Sequence, residues 1–355
     1  MAGFFPTERK IDPKALTRAL AIYKSPRTIR SIIELGITAV CLLMIWGAMW
    51  TGLRLEQYWL YGLMLLPAAG LLARLFMIQH DCGHSSFFHS RRANDWIGRI
   101  LGVVTLTPYD AWRSTHAEHH ASSGNLDRRG IGDVHTLTVD EYRALSGLRR
   151  LGYRLYRHPL VMFGIGPIFL FFIWNRVPDK LMKTGIRAWV SPTATNVAIG
   201  ALSAIAVWAL GMGPFLLLYG PVTVLAACAA VWLFYVQHQF EATHWERAQR
   251  WNAQEAALLG SSNYDLPPIL RWFSGNIGFH HVHHLVSRIP FYRLPEVIRD
   301  FPELRSLNRL TLVQSLASVR LALWDETNER LVSFEETSAR TLPGRDSSMA
   351  QPNAR

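Results

Sequence analysis

Long apolar stretches alternate with short basic ones along this chain, and that pattern predicts the fold before any motif is considered. A helix needs about 20 mainly apolar residues to cross a bilayer. Residues 31–53 reach that length with a single acid, Glu34, near the start. Residues 58–79 reach it with a single base, Arg74, close enough to the end to be expected to snorkel outward. Residues 188–240 hold no Asp, Glu, Lys or Arg over 53 positions. That is room for two spans, with Gly211-Met212-Gly213-Pro214 as the break between them. The expected fold is an all-α integral membrane protein. Its four spans, about 31–53, 58–79, 190–210 and 215–237, form two hairpins beneath a cytoplasmic helical cap.

Two shorter apolar stretches read differently. Residues 100–109 are too few to cross. Residues 159–175 contain Gly164, Gly166 and Pro167, and bases flank them on both sides: Arg154 and Arg157 before, then Arg176, Lys180, Lys183 and Arg187. Positive charge marks the cytoplasmic face, so both ends belong there and the segment is expected to be interfacial or re-entrant. The same rule puts residues 1–30, with Arg9, Lys10, Lys14, Arg18, Lys24, Arg27 and Arg30, in the cytoplasm. Residues 51–57 and 211–214 then face outside, and both hairpins return inward at Gln79 and Gln237. A histidine follows each return point directly. Residues 31–337 form the expected membrane domain. Residues 338–355, rich in Ser, Pro, Gly and Arg, are expected to be disordered.

Composition narrows the partners. At 18% charged and 50% hydrophobic residues, the 355-residue chain is too greasy for an ordinary soluble domain. Its net charge of +11 suits an anionic membrane surface or an acidic protein partner. No basic run is interleaved with aromatics, so nucleic acid is not expected. Cys41, Cys82 and Cys228 are far apart, which excludes a disulfide framework, a zinc ribbon and c-type haem attachment. Residues 1–30 lack an apolar core, so no cleavable signal is expected.

The chemistry lies in the histidines. Three clusters stand out: His80-Asp-Cys-Gly-His84, His116-Ala-Glu-His-His120 and His280-His-Val-His-His284. On a helix, positions i, i+3 and i+4 share a face, so each cluster can present two or three imidazoles to one point. Neutral imidazole binds iron, zinc, copper and nickel. One zinc is satisfied by about four ligands, whereas two octahedral-leaning metals use the whole set. The HExxH spacing of zinc peptidases is absent, because Ala117 separates His116 from Glu118.

Those three boxes resemble the membrane fatty acid desaturases. So do the flanking runs His80–Phe88, Ser123–Val134 and Asn276–Leu285, the last followed by Arg288-Ile-Pro, which are similar to the bacterial omega-6 (delta-12) subgroup. The resemblance implies a cytoplasmic site with two irons held by histidines alone, using O2 to remove two hydrogens from a fatty acyl chain. It also implies a further histidine ligand just after the fourth span, where this chain has His238. The implied ligands are His80, His84, His116, His119, His120, His238, His280, His283 and His284, with His281 left out. In the stearoyl-CoA type, an Asn four residues before the extra histidine holds a metal-bound water; here that position is Phe234. Asp81, Glu118, Glu241 and His244 are candidates for orienting the ligands from behind, set against plain solvation or polar contacts. Cys82 is read as a small packing residue.

Unactivated methylenes are beyond side-chain chemistry, so a redox metal must act on them. Trp46, Trp50, Trp232 and Trp272 are candidates to line an acyl slot or to anchor the protein at the interface. Electrons must come from a separate donor, a ferredoxin or small cytochrome, which Arg91, Arg92, Arg128 and Arg129 could dock; lipid headgroups explain those bases equally well. The resemblance implies a fatty acyl lipid, acyl-CoA or acyl-ACP as substrate, and a bacterial inner membrane is the expected location. Two rivals stand beside this reading. An acyl or alkane hydroxylase uses the same centre, and a metal transporter needs ionisable groups along its spans.

Overall fold

The computed structural model describes residues 12–178 and 187–339. The predicted cytoplasmic bases Arg9, Lys10, Lys180 and Lys183 lie outside them, as do residues 340–355 of the predicted tail. The helices that build the site are, in chain order, α1 (Thr28–Arg54), α2 (Tyr58–Gly83), α3 (Arg91–Val104), α4 (Tyr109–Ser122), α5 (Arg187–Leu210), α6 (Met212–His238) and α7 (His280–Leu285). Among the described residues, α1, α2, α5 and α6 are the four single helices long and apolar enough to cross a membrane. Gly211 alone separates α5 from α6, and its φ of 88° is a left-handed conformation that glycine adopts without cost. The helices Gly147–Tyr156 and Val161–Arg176 form a pair bent by 55°, which is how the borderline apolar stretch after Arg157 is accommodated.

Helix α2 sits at the centre. Ala68, Ala69, Leu71, Leu72, Ala73, Leu75 and Ile78 are buried along it, against Leu42 and Met49 of α1 and Leu218, Val222 and Ala226 of α6. Small residues let helices approach closely where lipid supplies no hydrophobic drive of its own. The outer faces run the other way: Ile33, Ile37, Val40, Leu43 and Met44 of α1 and Trp208 of α5 are exposed. Such apolar belts on self-satisfied helices fit a lipid surround. This is a membrane protein.

Five short strands were not foreseen by the helical reading. β1 (Leu137–Thr138) pairs parallel with β4 (Leu321–Asp325), which pairs antiparallel with β5 (Arg330–Ser333); β2 (Asn263–Asp265) pairs parallel with β3 (Arg309–Thr311). With two to five residues each, they leave no alternation long enough to read. The β2 strand matters for the site, because Asn263 also bridges Phe279, the residue before α7. At Gly278 a Cβ would stand 2.5 Å from the Tyr264 carbonyl oxygen, so only glycine lets the third histidine cluster approach this strand.

The expectation that Arg74 snorkels outward is corrected. Arg74 is 1% exposed and forms an ion pair with Glu34, itself 4% exposed, across the α1–α2 contact. Its guanidinium also donates to Thr38 Oγ1 at 3.2 Å and to the Trp272 carbonyl, and lies 4.2 Å from the Trp272 ring. The two charges that looked incidental in the sequence meet inside the bundle, as an intramembrane ion requires; Glu34 also pairs at 2.6 Å with the exposed Arg30, a solvent-screened contact that offsets little of the buried charge. Trp272 is thereby tied to the arginine. Removing one partner of a buried ion pair costs about 3–5 kcal/mol, because the other charge is left uncompensated. Arg74→Ala is therefore expected to lower the thermal midpoint of the detergent-solubilised protein sharply. A Glu34→Gln/Arg74→Met double variant should lose less than Arg74→Ala alone, as read by the same melting assay.

Candidate metal centre

Four helix ends converge on one volume. The C-terminal turn of α2 brings His80 and His84, α4 brings His116, His119 and His120, the last residue of α6 is His238, and α7 brings His280, His283 and His284. Their ring nitrogens fall into two groups, each with all donor atoms within 4.8 Å of one another. One holds His80, His84, His116, His120 and His283; the other holds His119, His238, His280 and His284. The Nε2 atoms of His84 and His116 are 3.0 Å apart, those of His120 and His116 3.1 Å, and those of His283 and His120 3.1 Å. In the second group the His119–His238 and His280–His238 Nε2 separations are 3.2 and 2.9 Å.

The clusters do not each aim at one point, as the face-sharing rule suggested. Residues i and i+4 stay together and i+3 departs: His116 and His120 face the first group while His119 faces the second, and His280 and His284 face the second while His283 faces the first. His281 is fully buried outside both groups.

Electrostatics favour the neutral, ligating form. Burial first, and neighbouring imidazoles second, hold His116, His120, His280, His283 and His284 well below the ordinary 6.5. His281 is pushed down to about 4 by burial. A set of uncharged nitrogens whose lone pairs point at one another within hydrogen-bond distance is unfavourable unless cations take up those lone pairs. The donor set fits two metal ions. It contains nitrogen only, which suits borderline metals rather than magnesium or calcium.

Groups behind the rings fix their direction. Asp133 Oδ1 lies 2.5 Å from His119 Nδ1, His238 Nδ1 donates to the Gly260 carbonyl at 3.2 Å, and Asp81 Oδ1 stands 3.5 Å from His80 Nδ1. Asp81 also accepts the Phe291 N–H at 2.7 Å, so it ties α2 to the turn after α7. Of the other candidates for this role, Glu118 turns to Arg128 at 2.6 Å and Glu241 to Arg330 at 3.0 Å. His244 lines a small cavity beside His238. Cys82 is buried, and its carbonyl accepts the Tyr109 hydroxyl at 2.9 Å. Two participants were missed from the sequence. Asp133 lies 14 residues from its histidine, too far for a local rule, although it belongs to the run Ser123–Val134 already marked by resemblance. Trp112 stacks on His116 with ring centres 4.6 Å apart; its position one turn ahead of the box was the available signal.

Spans packed around histidine groups at their ends define a class: membrane proteins with an imidazole-only site fit for metal. The comparisons are specific. The fatty acid desaturase family matches residues 56–311. The chain is 43% identical over 321 residues to a fatty acid desaturase of Bacillus subtilis (strain 168), covering 90% of each chain. It is 30% identical over 257 residues to an sn-1 acyl-lipid omega-3 desaturase (ferredoxin) of Synechocystis sp., covering 68% of this chain and 67% of that one. A third relative, an sn-1 oleoyl-lipid 12-desaturase of Synechocystis sp., is 27% identical over 272 residues, covering 74% and 72%. The chain belongs to the fatty acid desaturase family.

If Asp133 holds His119 in its ligating tautomer, Asp133→Asn should weaken metal retention by roughly 10–100-fold while leaving the fold intact. Metal content after dialysis against a chelator, compared at equal thermal midpoint, checks this.

Proposed function

We propose that this enzyme introduces a cis double bond of the delta-12 (omega-6) type into the acyl chain of a membrane lipid, using two irons bound by the nine histidines. The observation that carries it is the pair of buried to half-buried imidazole groups, five and four strong, with no carboxylate in either. When bound, the irons supply the redox chemistry with O2 that removes hydrogen from unactivated methylenes. Each turnover converts one CH2–CH2 unit, one O2, two electrons and two protons into one CH=CH unit and two waters. The Synechocystis relatives carry the names of a 12-desaturase and an omega-3 desaturase; the runs flanking the histidine boxes support the former position for this chain.

The chain's own residues orient, exclude and position. His80, His84, His116, His120 and His283 would hold one iron, and His119, His238, His280 and His284 the other, with Asp133 aiming His119 and the Gly260 carbonyl aiming His238. Phe76 lies one turn before His80 on α2, on the membrane side of it. Its ring is 5.4 Å from Trp112 and 6.4 Å from Phe171. This aromatic wall is the surface against which an acyl chain is held so that two adjacent carbons face the centre. Phe234, whose ring lies 5.0 Å from His119, packs where the stearoyl-CoA type has its Asn, so that side of the centre is apolar.

Electrons arrive from a ferredoxin or small cytochrome on the cytoplasmic face of a bacterial inner membrane. Arg91 and Arg92 are exposed and suited to docking an acidic donor. Arg128 is engaged by Glu118, and Arg129 is largely buried against Glu141, so these two are structural. The bent segment at 159–175 lies at the interface.

Three outcomes are expected. Purified protein should hold about two irons per chain by elemental analysis; one zinc and no iron would refute the reading. Expression in a host lacking polyunsaturated lipids should yield dienoic acyl chains by lipid profiling, and His238→Ala should abolish them and lower bound iron, whereas His281→Ala should keep its iron. Reporters after Gln79, within residues 122–133 and after Leu285 should read cytoplasmic, and tags in residues 51–57 and 211–214 external.

A further inference from the structure

A cavity of about 10 Å³ lies beside the second histidine group, lined by Asp133, Phe234, His238, Gln239, His244 and Gly260 among others. That volume is the size of one water. Asp133 is 93% buried as a side chain, and its two oxygens are used unequally. Oδ1 meets His119, while no described residue donates to the buried Oδ2. A desolvated carboxylate oxygen without a donor is costly, and such atoms in native proteins call for a water. The other polar groups around the cavity suit that water. The Gln239 side-chain oxygen accepts from Arg157 at 2.9 Å, which leaves its NH2 to donate. His244 is half-buried, and its imidazole makes no hydrogen bond to the described residues.

We infer that this cavity binds one water bridging Asp133 Oδ2 to His244, and that His244 is a positioning residue acting on His119 through that water and Asp133. The inference rests on the reading of His119 as a metal ligand. It gives His244 a place beside the centre without ligation: six residues beyond His238 in sequence, it lines the same pocket yet stands outside both donor groups. Rotation of the Asp133 carboxylate would break its bond to His119. A water held on the far oxygen by His244 and Gln239 opposes that rotation. The site has the same logic as the carboxylate–histidine pairs behind other metal centres, extended by one bridge.

The test is the rate at which a ferrous chelator strips iron from the purified, iron-loaded full-length enzyme, followed by absorbance. Asp133→Asn should accelerate release roughly 10–100-fold. His244→Phe, which fills the cavity and cannot hydrogen-bond, should accelerate it in the same range, and His244→Gln, which keeps a polar group, should stay within about threefold of the parent. Because both act through one path, the Asp133→Asn/His244→Phe double variant should release iron no faster than Asp133→Asn alone. His244→Phe at the parental rate, or a double variant showing the product of the two single effects, overturns the bridge. Parent enzyme that holds no iron refutes the ligand reading beneath it, a failure separate from that of the bridge. Should His244→Phe not fold, a high-resolution map of the parent decides. Density for a water bonded to both Asp133 and His244 supports the inference, and well-ordered side chains with none between them refute it.

Discussion

Nine neutral imidazoles packed into one buried volume cannot satisfy each other. Each offers a lone pair, and the closest Nε2 atoms are 2.9 Å apart. The arrangement needs cations at its centre and rigid walls around it, and the rest of the chain follows from those two needs. Protonation would relieve the crowding only by placing charge in a dry site. Burial opposes that, as the depressed pKa values of His116, His120, His280, His283 and His284 show. Burial thus favours the neutral form, the one with a lone pair free for a metal. Metal bound there would in turn stabilise the folded chain, because the unfolded chain has no assembled site.

The walls come from three kinds of contact. Spans α2 and α6 set the depth, since each ends in a histidine-bearing turn. Hydrogen bonds behind the rings set direction, through Asp133 on His119 and the Gly260 carbonyl on His238. Longer ties hold the third cluster to the bundle: Asp81 to Phe291, and Arg74 of α2 to the Trp272 carbonyl at the end of the short helix before α7. The Glu34–Arg74 pair belongs to the same frame. It locks α1 to α2 while its guanidinium reaches the segment that delivers His280–His284, so a charge pair remote from the chemistry helps to place it.

Legibility in the sequence followed the range of each interaction. The four spans were readable because lipid imposes a length and a composition on every helix that crosses it. The three histidine clusters were readable because their members lie within one helical turn. The buried ion pair was misread, since Arg74 finds its partner 40 positions away and only packing brings the two together. Asp133 was passed over for the same reason, and β1, β2 and β3 are set by partners far along the chain, whereas β4 and β5 form a short local hairpin. Glu118 and Glu241 show the converse: adjacency to a ligand in sequence put them on the shortlist, yet nearby arginines claimed both carboxylates.

The spacing HxxHH carries more information than its use as a family mark suggests. Successive helical residues point about 100° apart, whereas i and i+4 differ by about 40°. Adjacent histidines on a helix therefore cannot readily serve one ion, and His119 and His120, like His283 and His284, are divided between the two groups. The second cluster gives two nitrogens to the first group and one to the second; the third cluster does the reverse. These two clusters alone build equal halves. The first cluster, HxxxH without an adjacent pair, adds both of its nitrogens to one half. The second half takes its remaining donor from the end of α6. That donor is His238: a lone histidine in an apolar stretch is weak evidence by itself, and it gains weight from standing with His119, His280 and His284.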